Sequence, residues 1–180
     1  MPKIVGGCLC GSVRYESEAE PTLTAACHCR HCQKQTSSAF SIFVVLPKGS
    51  LRIEGEPLAA FEDVGESGLP VFRKFCPKCG SAIVSEVVAT PDVEWLNAGT
   101  LDDPSSFRPQ MNLWCDSAQP WVSIDDTIPA YAGNPPRATE QAGRRYGSVR
   151  VTYERRPATS TSENSVKAKF AEHSFHVVSR

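Results

Sequence analysis

Val71-Phe72-Arg73-Lys74-Phe75-Cys76-Pro77-Lys78-Cys79-Gly80-Ser81-Ala82-Ile83-Val84-Ser85 is the stretch on which the fold turns. Two apolar runs of strand length flank a short Cys-x-x-Cys-Gly link, so the segment predicts a β-hairpin with two thiols at its tip. A glycine directly after the second cysteine can take positive φ without a Cβ clash. That frees backbone N–H groups to hydrogen-bond the sulfurs. A knuckle of this kind supplies two ligands to a metal ion and needs two more.

The remaining cysteines offer them. The chain carries eight, in the order Cys8-x-Cys10, Cys27-x-Cys29-x-x-Cys32, Cys76-x-x-Cys79 and Cys115 alone. Gaps of one and two residues suit convergence on a cation better than disulfide pairing across a fold. Cys8 and Cys10, followed by Gly11, are the natural partners of Cys76 and Cys79 in a closed four-thiolate zinc site, which is the structural kind. Cys27, Cys29 and Cys32 are left as a second set. Three protein ligands with one exchangeable position is the pattern of a catalytic zinc. Two Zn2+ per chain are therefore expected. His31 is a candidate fourth ligand that would close the second site, and Cys115 is another candidate, read otherwise as a buried thiol. His28 lies between two ligands and is expected to point away from them. Arg30 and Lys34 lie close enough in sequence to offset thiolate charge and attract an anionic substrate.

The rest of the body also reads as short strands broken by Gly, Pro and Asp. Val13 and Tyr15 alternate with polar neighbours; Ala39–Leu46 and Leu51–Gly55 follow as strands. Glu94–Asn97, Met111–Cys115 and Trp121–Ile124 are weaker ones. Asp102–Ser106 predicts a turn or short helical start, and Gln33–Ser38 a single turn. No amphipathic helix longer than two turns is expected, and the fold class is mainly β. Trp95, Trp114 and Trp121 are read as core or pocket wall.

Composition bounds the function. Of 180 residues, 41% are hydrophobic and 22% charged, as in an ordinary soluble domain. No run approaches the roughly 18 apolar residues of a membrane span. The first residues lack the apolar core of a signal peptide, so a cytoplasmic chain is expected. Residues 1–134 carry 10 Lys/Arg and 16 Asp/Glu, a net −6; residues 135–180 carry 9 and 4, a net +5. An acidic body argues against a nucleic-acid-binding zinc ribbon. The division at 134/135 predicts a zinc-binding β domain followed by a basic, poorly ordered C-terminal tail. Within the tail, 148–153 is a candidate strand and 166–173 a weak helix.

Gly7-Cys8-Leu9-Cys10-Gly11, Cys27-His28-Cys29-Arg30-His31-Cys32-Gln33-Lys34 and Phe75-Cys76-Pro77-Lys78-Cys79-Gly80 together resemble the glutathione-dependent formaldehyde-activating enzyme family, which includes the centromere protein V type of domain. Asn97–Pro104, Phe107–Gln110 and Pro120–Ile124 extend the match over about residues 4–133. The resemblance implies a tent-like β fold of short antiparallel strands stapled by zinc. It implies a structural zinc on Cys8, Cys10, Cys76 and Cys79 and a catalytic zinc on Cys27, Cys29 and Cys32. The implied activity joins glutathione to formaldehyde as S-hydroxymethylglutathione, carbon–sulfur lyase chemistry in reverse. The implied partners are a small thiol such as glutathione and a small aldehyde. Where the family commonly has a histidine, this chain has Asn112, which can hydrogen-bond but cannot shuttle a proton near pH 7. Two other readings of the same cysteines stand beside the lyase. One is a non-catalytic zinc module that binds a thiol ligand or a protein; the other is a redox protein cycling disulfides.

Overall fold

In the computed structural model, residues 3–135 are described. The strands are β1 (Ile4–Gly7), β2 (Val13–Ser17), β3 (Leu23–Cys27), β4 (Ser41–Pro47), β5 (Arg52–Gly55), β6 (Ala59–Val64), β7 (Pro70–Phe75), β8 (Ala82–Val87), β9 (Val93–Asn97) and β10 (Met111–Leu113). One helix, α1 (Arg30–Thr36), lies between β3 and β4. The fold is mainly β, as the sequence predicts.

The strands form two sheets, one in the order β1-β2-β5 and one in the order β10-β3-β4-β9-β8-β7-β6. Pairing is antiparallel throughout except for β10, which runs parallel to β3 with Leu113 opposite Cys27. That pair is the one parallel ladder among the described strands of a fold otherwise antiparallel, as expected. It arises because the long 98–110 connection brings the chain back beside β3 in the same direction. Strand β7 pairs with β8 with a register shift between Lys74 and Phe75, just before the Cys76 turn. The predicted hairpin is therefore present.

Strand β4 shows how the core is divided. Its interior is almost wholly buried, and its side chains alternate between two faces. Val44 and Leu46 join one core with Val13, Tyr15, Ile83, Leu96, Cys8 and Cys76. Phe43 joins the other with Ala25, Leu113, Cys27 and Cys32. Each core thus carries one cysteine group. Tyr15 keeps its phenol neutral, with burial pushing its pKa up to about 12, while its hydroxyl meets Thr100 Oγ1 at 2.9 Å.

Several elements differ from the sequence reading. The turn expected over Gln33–Ser38 is a helix that starts earlier, at Arg30, because Cys29 serves as its N-cap. It stops where Ser37 takes a left-handed conformation (φ 51°). Trp121–Ile124 is not a strand: a turn over 119–122, closed by Val122 N–H on Gln119 O, ends there, and Trp121 is 74% exposed. Its apolar alternation has no neighbouring strand among the described residues to pair with. Strands β1, β3 and β6 escaped the sequence reading. In β3 two alanines dilute the β-forming residues, and in β6 most side chains are exposed, so no alternation marks it. The strand expected at 148–153 and the helix at 166–173 lie outside the described residues.

Leu46 is fully buried at the centre of the first core. Leu46→Ala is expected to cost about 2–5 kcal/mol through lost transfer energy and the cavity left behind. Urea denaturation should show this as a lower midpoint with an unchanged slope.

Candidate metal centres and the cleft beside them

Two turns build the first group. Between β7 and β8, Gly80 N–H donates to Cys76 O at 2.9 Å; between β1 and β2, Gly11 N–H donates to Cys8 O at 3.0 Å. Both glycines sit at φ +74°, and a Cβ at either would meet nothing within 4 Å. Backbone conformation, not space, therefore demands glycine at each. The turns bring Cys8, Cys10, Cys76 and Cys79 together, with all four sulfurs within 4.8 Å of one another.

The donor set fits a metal ion. A tetrahedron with metal–sulfur bonds of about 2.3 Å has edges of about 3.8 Å. Cys10 Sγ lies 3.8 Å from Cys76 Sγ and 3.5 Å from Cys8 Sγ. These are tetrahedral edges, far longer than a disulfide of about 2.05 Å, and all eight cysteines are free. Polar groups surround the sulfurs. Val13 N–H donates to Cys8 Sγ at 3.2 Å, Ser12 Oγ lies 3.3 Å from Cys10 Sγ, and Ser81 Oγ lies 3.3 Å from Cys79 Sγ. Ser81 Oγ also accepts from Leu9 N–H at 3.1 Å, which ties the two turns directly. The Ser81 contact holds the Cys79 thiol down to about 5, whereas burial pushes Cys76 up to about 11.

The second group is built by the β3–α1 junction. Cys27 ends β3, Cys29 caps α1 by accepting from Cys32 N–H at 3.4 Å, and Cys32 lies in the first turn. Their sulfurs also converge within 4.8 Å, with Cys27 and Cys32 buried and Cys29 half-buried. Three thiols this close cannot all ionise unaided. Hydrogen bonds from Cys27 and Cys32 hold Cys29 down to about 2, and the same contact with Cys29 pushes Cys27 up. A shared cation relieves that conflict, so this donor set fits a metal ion too.

Among the described residues, no other side chain joins the triplet. His31 turns to Asp63, its Nδ1 2.7 Å from Oδ2, and is 57% exposed. Cys115 is half-buried in a short 3-10 turn, not fully buried as expected, and belongs to neither group. His28 does point elsewhere. Its ring is buried against Phe40, with Nε2 3.2 Å from Asn112 Oδ1. Trp95 and Trp114 pack against the triplet's core, as expected of pocket wall. Trp121, by contrast, is exposed at the surface.

The sequence reading missed two supporting residues. Buried Gln33 donates to His28 O at 2.5 Å and to Ser117 O at 2.9 Å, and its Oε1 accepts from Gln119 at 2.8 Å and from Arg30. It clamps the ligand loop to the segment beyond β10. Its place directly after Cys32 was the available signal. Arg73, polar within the apolar run of β7, is only 12% exposed. Its Nε donates to Asp63 at 2.8 Å and its guanidinium N–H to Gln35 Oε1 at 2.6 Å. Burial opposes its charge, but Asp63 and the neighbouring Cys32 sulfur outweigh that and favour the cation.

Arg73 also lines a cleft of about 580 Å³ between α1 and strands β6–β8. Arg30, His31 and Lys34 line its helix side, and Phe61 and Phe75 its sheet side. The cleft is therefore cationic with aromatic walls.

Residues 3–117 match the family described as Glutathione-dependent formaldehyde-activating enzyme. Among solved structures, a Rhodobacter sphaeroides protein is similar at 21% identity and a TM-score of 0.45, covering 58% of this chain and 91% of that one. No curated protein matches the chain. No helix among the described residues is long and apolar enough to cross a membrane.

Gly80→Ala is expected to lower stability by about 1–2 kcal/mol, because alanine disfavours positive φ. Gly99→Ala is the control: it has equal space and no positive φ, and its effect should be within about 0.5 kcal/mol. Urea midpoints of the two variants make the comparison.

Proposed function

The chain belongs to the glutathione-dependent formaldehyde-activating enzyme family, and from that premise we propose a zinc-dependent carbon–sulfur lyase. Its substrate is the adduct of glutathione, or a similar thiol, with formaldehyde or another small aldehyde. Cys8, Cys10, Cys76 and Cys79 hold a structural zinc, and Cys27, Cys29 and Cys32 hold a catalytic one. The carrying observation is that, among the described residues, the triplet has no fourth protein ligand, since His31 is drawn to Asp63 and Cys115 stands elsewhere. Zinc bound there would act as a Lewis acid, favouring the thiolate of an incoming thiol near neutral pH.

The protein's own groups supply order and dryness. Gln33 and the His28–Asn112 contact fix the loop that carries Cys27 and Cys29. In this reading Asn112 supports packing and takes no part in proton transfer. Trp95 and Trp114 exclude water from one side. In the addition direction, the thiolate sulfur forms the bond to the aldehyde carbon and the carbonyl π pair moves onto oxygen. That oxygen then takes the proton the thiol gave up. The lyase direction reverses each step, and neither direction needs an electron acceptor. Holding the two reactants together is the larger part of the advantage over the uncatalysed reaction. We assign this activity to residues 1–134 and to a reducing, cytoplasmic setting, with the basic segment 135–180 outside the catalytic unit.

The test is cleavage of the glutathione–formaldehyde adduct above its spontaneous rate. The wild-type chain should accelerate it, and zinc chelation should abolish the effect. Cys29→Ser should leave a folded protein with about half the zinc and only the spontaneous rate. Cys79→Ser should unfold or lose soluble protein, because it opens the staple. A Cys29→Ser protein that keeps full activity, or that unfolds as readily as Cys79→Ser, contradicts this division.

A further inference from the structure

Strand β6 ends the large sheet, and its outer edge pairs with no strand among the described residues. Natural edge strands are blunted by lysine, proline or a covering segment, because an open row of backbone N–H and C=O groups recruits another strand. Ala59–Val64 has neither lysine nor proline, and Phe61 and Val64 are 61% and 62% exposed. The other sheet edges are better provided. β10 is met by Ala130 and β1 by Leu101. β5 is open, but its cation, Arg52, is already engaged by Glu16 and Glu54. On β6, Asp63 is held by His31 and Arg73, whereas exposed Glu62 has no ion-pair partner among the described residues. The open edge thus combines exposed apolar side chains with one free carboxylate.

The place where the described residues end points to an occupant. Asn134 Nδ2 donates to Glu66 Oε2 at 2.8 Å, two residues beyond β6, and Asn134 Oδ1 accepts from Trp114 Nε1 at 3.2 Å. The chain therefore leaves the described region beside the Val64 end of the open edge. Beyond it lies 148–153, Ser-Val-Arg-Val-Thr-Tyr, whose alternation is that of a strand former. The intervening residues 136–147 reach up to about 40 Å when extended, twice the ~20 Å length of a six-residue strand. Segment 135–180 carries a net +5 against −6 for the body.

We propose that 148–153 adds to β6 as an antiparallel eighth strand, with Ser148 opposite Val64 and Tyr153 opposite Ala59. In that register Arg150 stands opposite Glu62 and Val151 opposite Phe61. The free carboxylate gains a cation, and the exposed ring gains an apolar neighbour. A slip of one residue either way sets Val149 or Val151 against Glu62 instead, so the register is specified. A second copy of β6 is the poorer occupant, because it brings another Glu62 and Asp63 to an edge that already holds two carboxylates. The pairing covers the edge and is independent of the zinc chemistry.

Amide hydrogen exchange, read residue by residue by NMR on the zinc-loaded full chain, tests the pairing. Alternate amides of 148–153 should exchange at least about tenfold more slowly than in an unpaired chain, and dilution should not change this. Val151→Asp should remove that protection together with that of the outward-facing β6 amides. It should leave β7, β8 and the zinc content unchanged. Arg150→Glu and Glu62→Arg should each weaken the protection about threefold, and the double variant should return to within about twofold of the original chain.

Exchange of 148–153 at unpaired rates, or protection indifferent to Val151→Asp, overturns the pairing. Protection that vanishes on dilution overturns it too, since another copy would then be covering the edge. Charge reversals that fail to compensate each other overturn the register and the assignment with it.

Discussion

Four sulfurs meeting from two distant turns are the constraint on which this fold depends. Cys10 and Cys76 are 66 positions apart in sequence and 3.8 Å apart in space. The first turn joins β1 to β2 in the small sheet, and the second joins β7 to β8 in the large one. The sheets therefore share this junction, reinforced by Ser81 accepting from Leu9. A closed four-thiolate zinc contributes roughly 10 kcal/mol or more of apparent binding free energy, comparable with the whole stability of a typical domain at about 5–15 kcal/mol. A metal at this junction would decide whether the two sheets stay together.

The second cysteine group answers to a different demand. Period-2 alternation along β4 sends Val44 and Leu46 to the core of the four-sulfur group and Phe43 to the core of the triplet. The triplet is thereby separated from the four-sulfur group by a packed strand. Gln33, Asn112 and Arg73 then spend their polar groups on fixing and balancing the triplet. A metal-binding loop so held can leave one ligand position free without losing its shape, which is what an open site requires. The same helix that carries Cys32 presents Arg30 and Lys34 to the cleft.

Much of this was legible because cysteine spacing and strand alternation are local signals. Cys76–Gly80 between two apolar runs announced the knuckle hairpin, and the pairing of its thiols with Cys8 and Cys10 followed from ligand counting. The helix start was misplaced because a cysteine served as N-cap, a role that sequence assigns first to Ser, Thr, Asp and Asn. β6 was invisible because it is an exposed edge strand. The parallel docking of β10 on β3 depends on where a long loop returns, which no local pattern encodes. Arg73 and Gln33 were hidden for a related reason: their partners Gln35 and Ser117 are distant in sequence. Trp121 failed the other way, with an apolar pattern and no strand among the described residues to meet it.

X-ray absorption at the zinc edge on the full chain, with zinc counted per chain, tests the central claim most directly. One closed four-sulfur site and one open three-sulfur site predict two zincs with an average of about 3.5 sulfurs each, the remaining ligand being a light atom. Two zincs with four sulfurs apiece, or a single zinc per chain, would contradict the account.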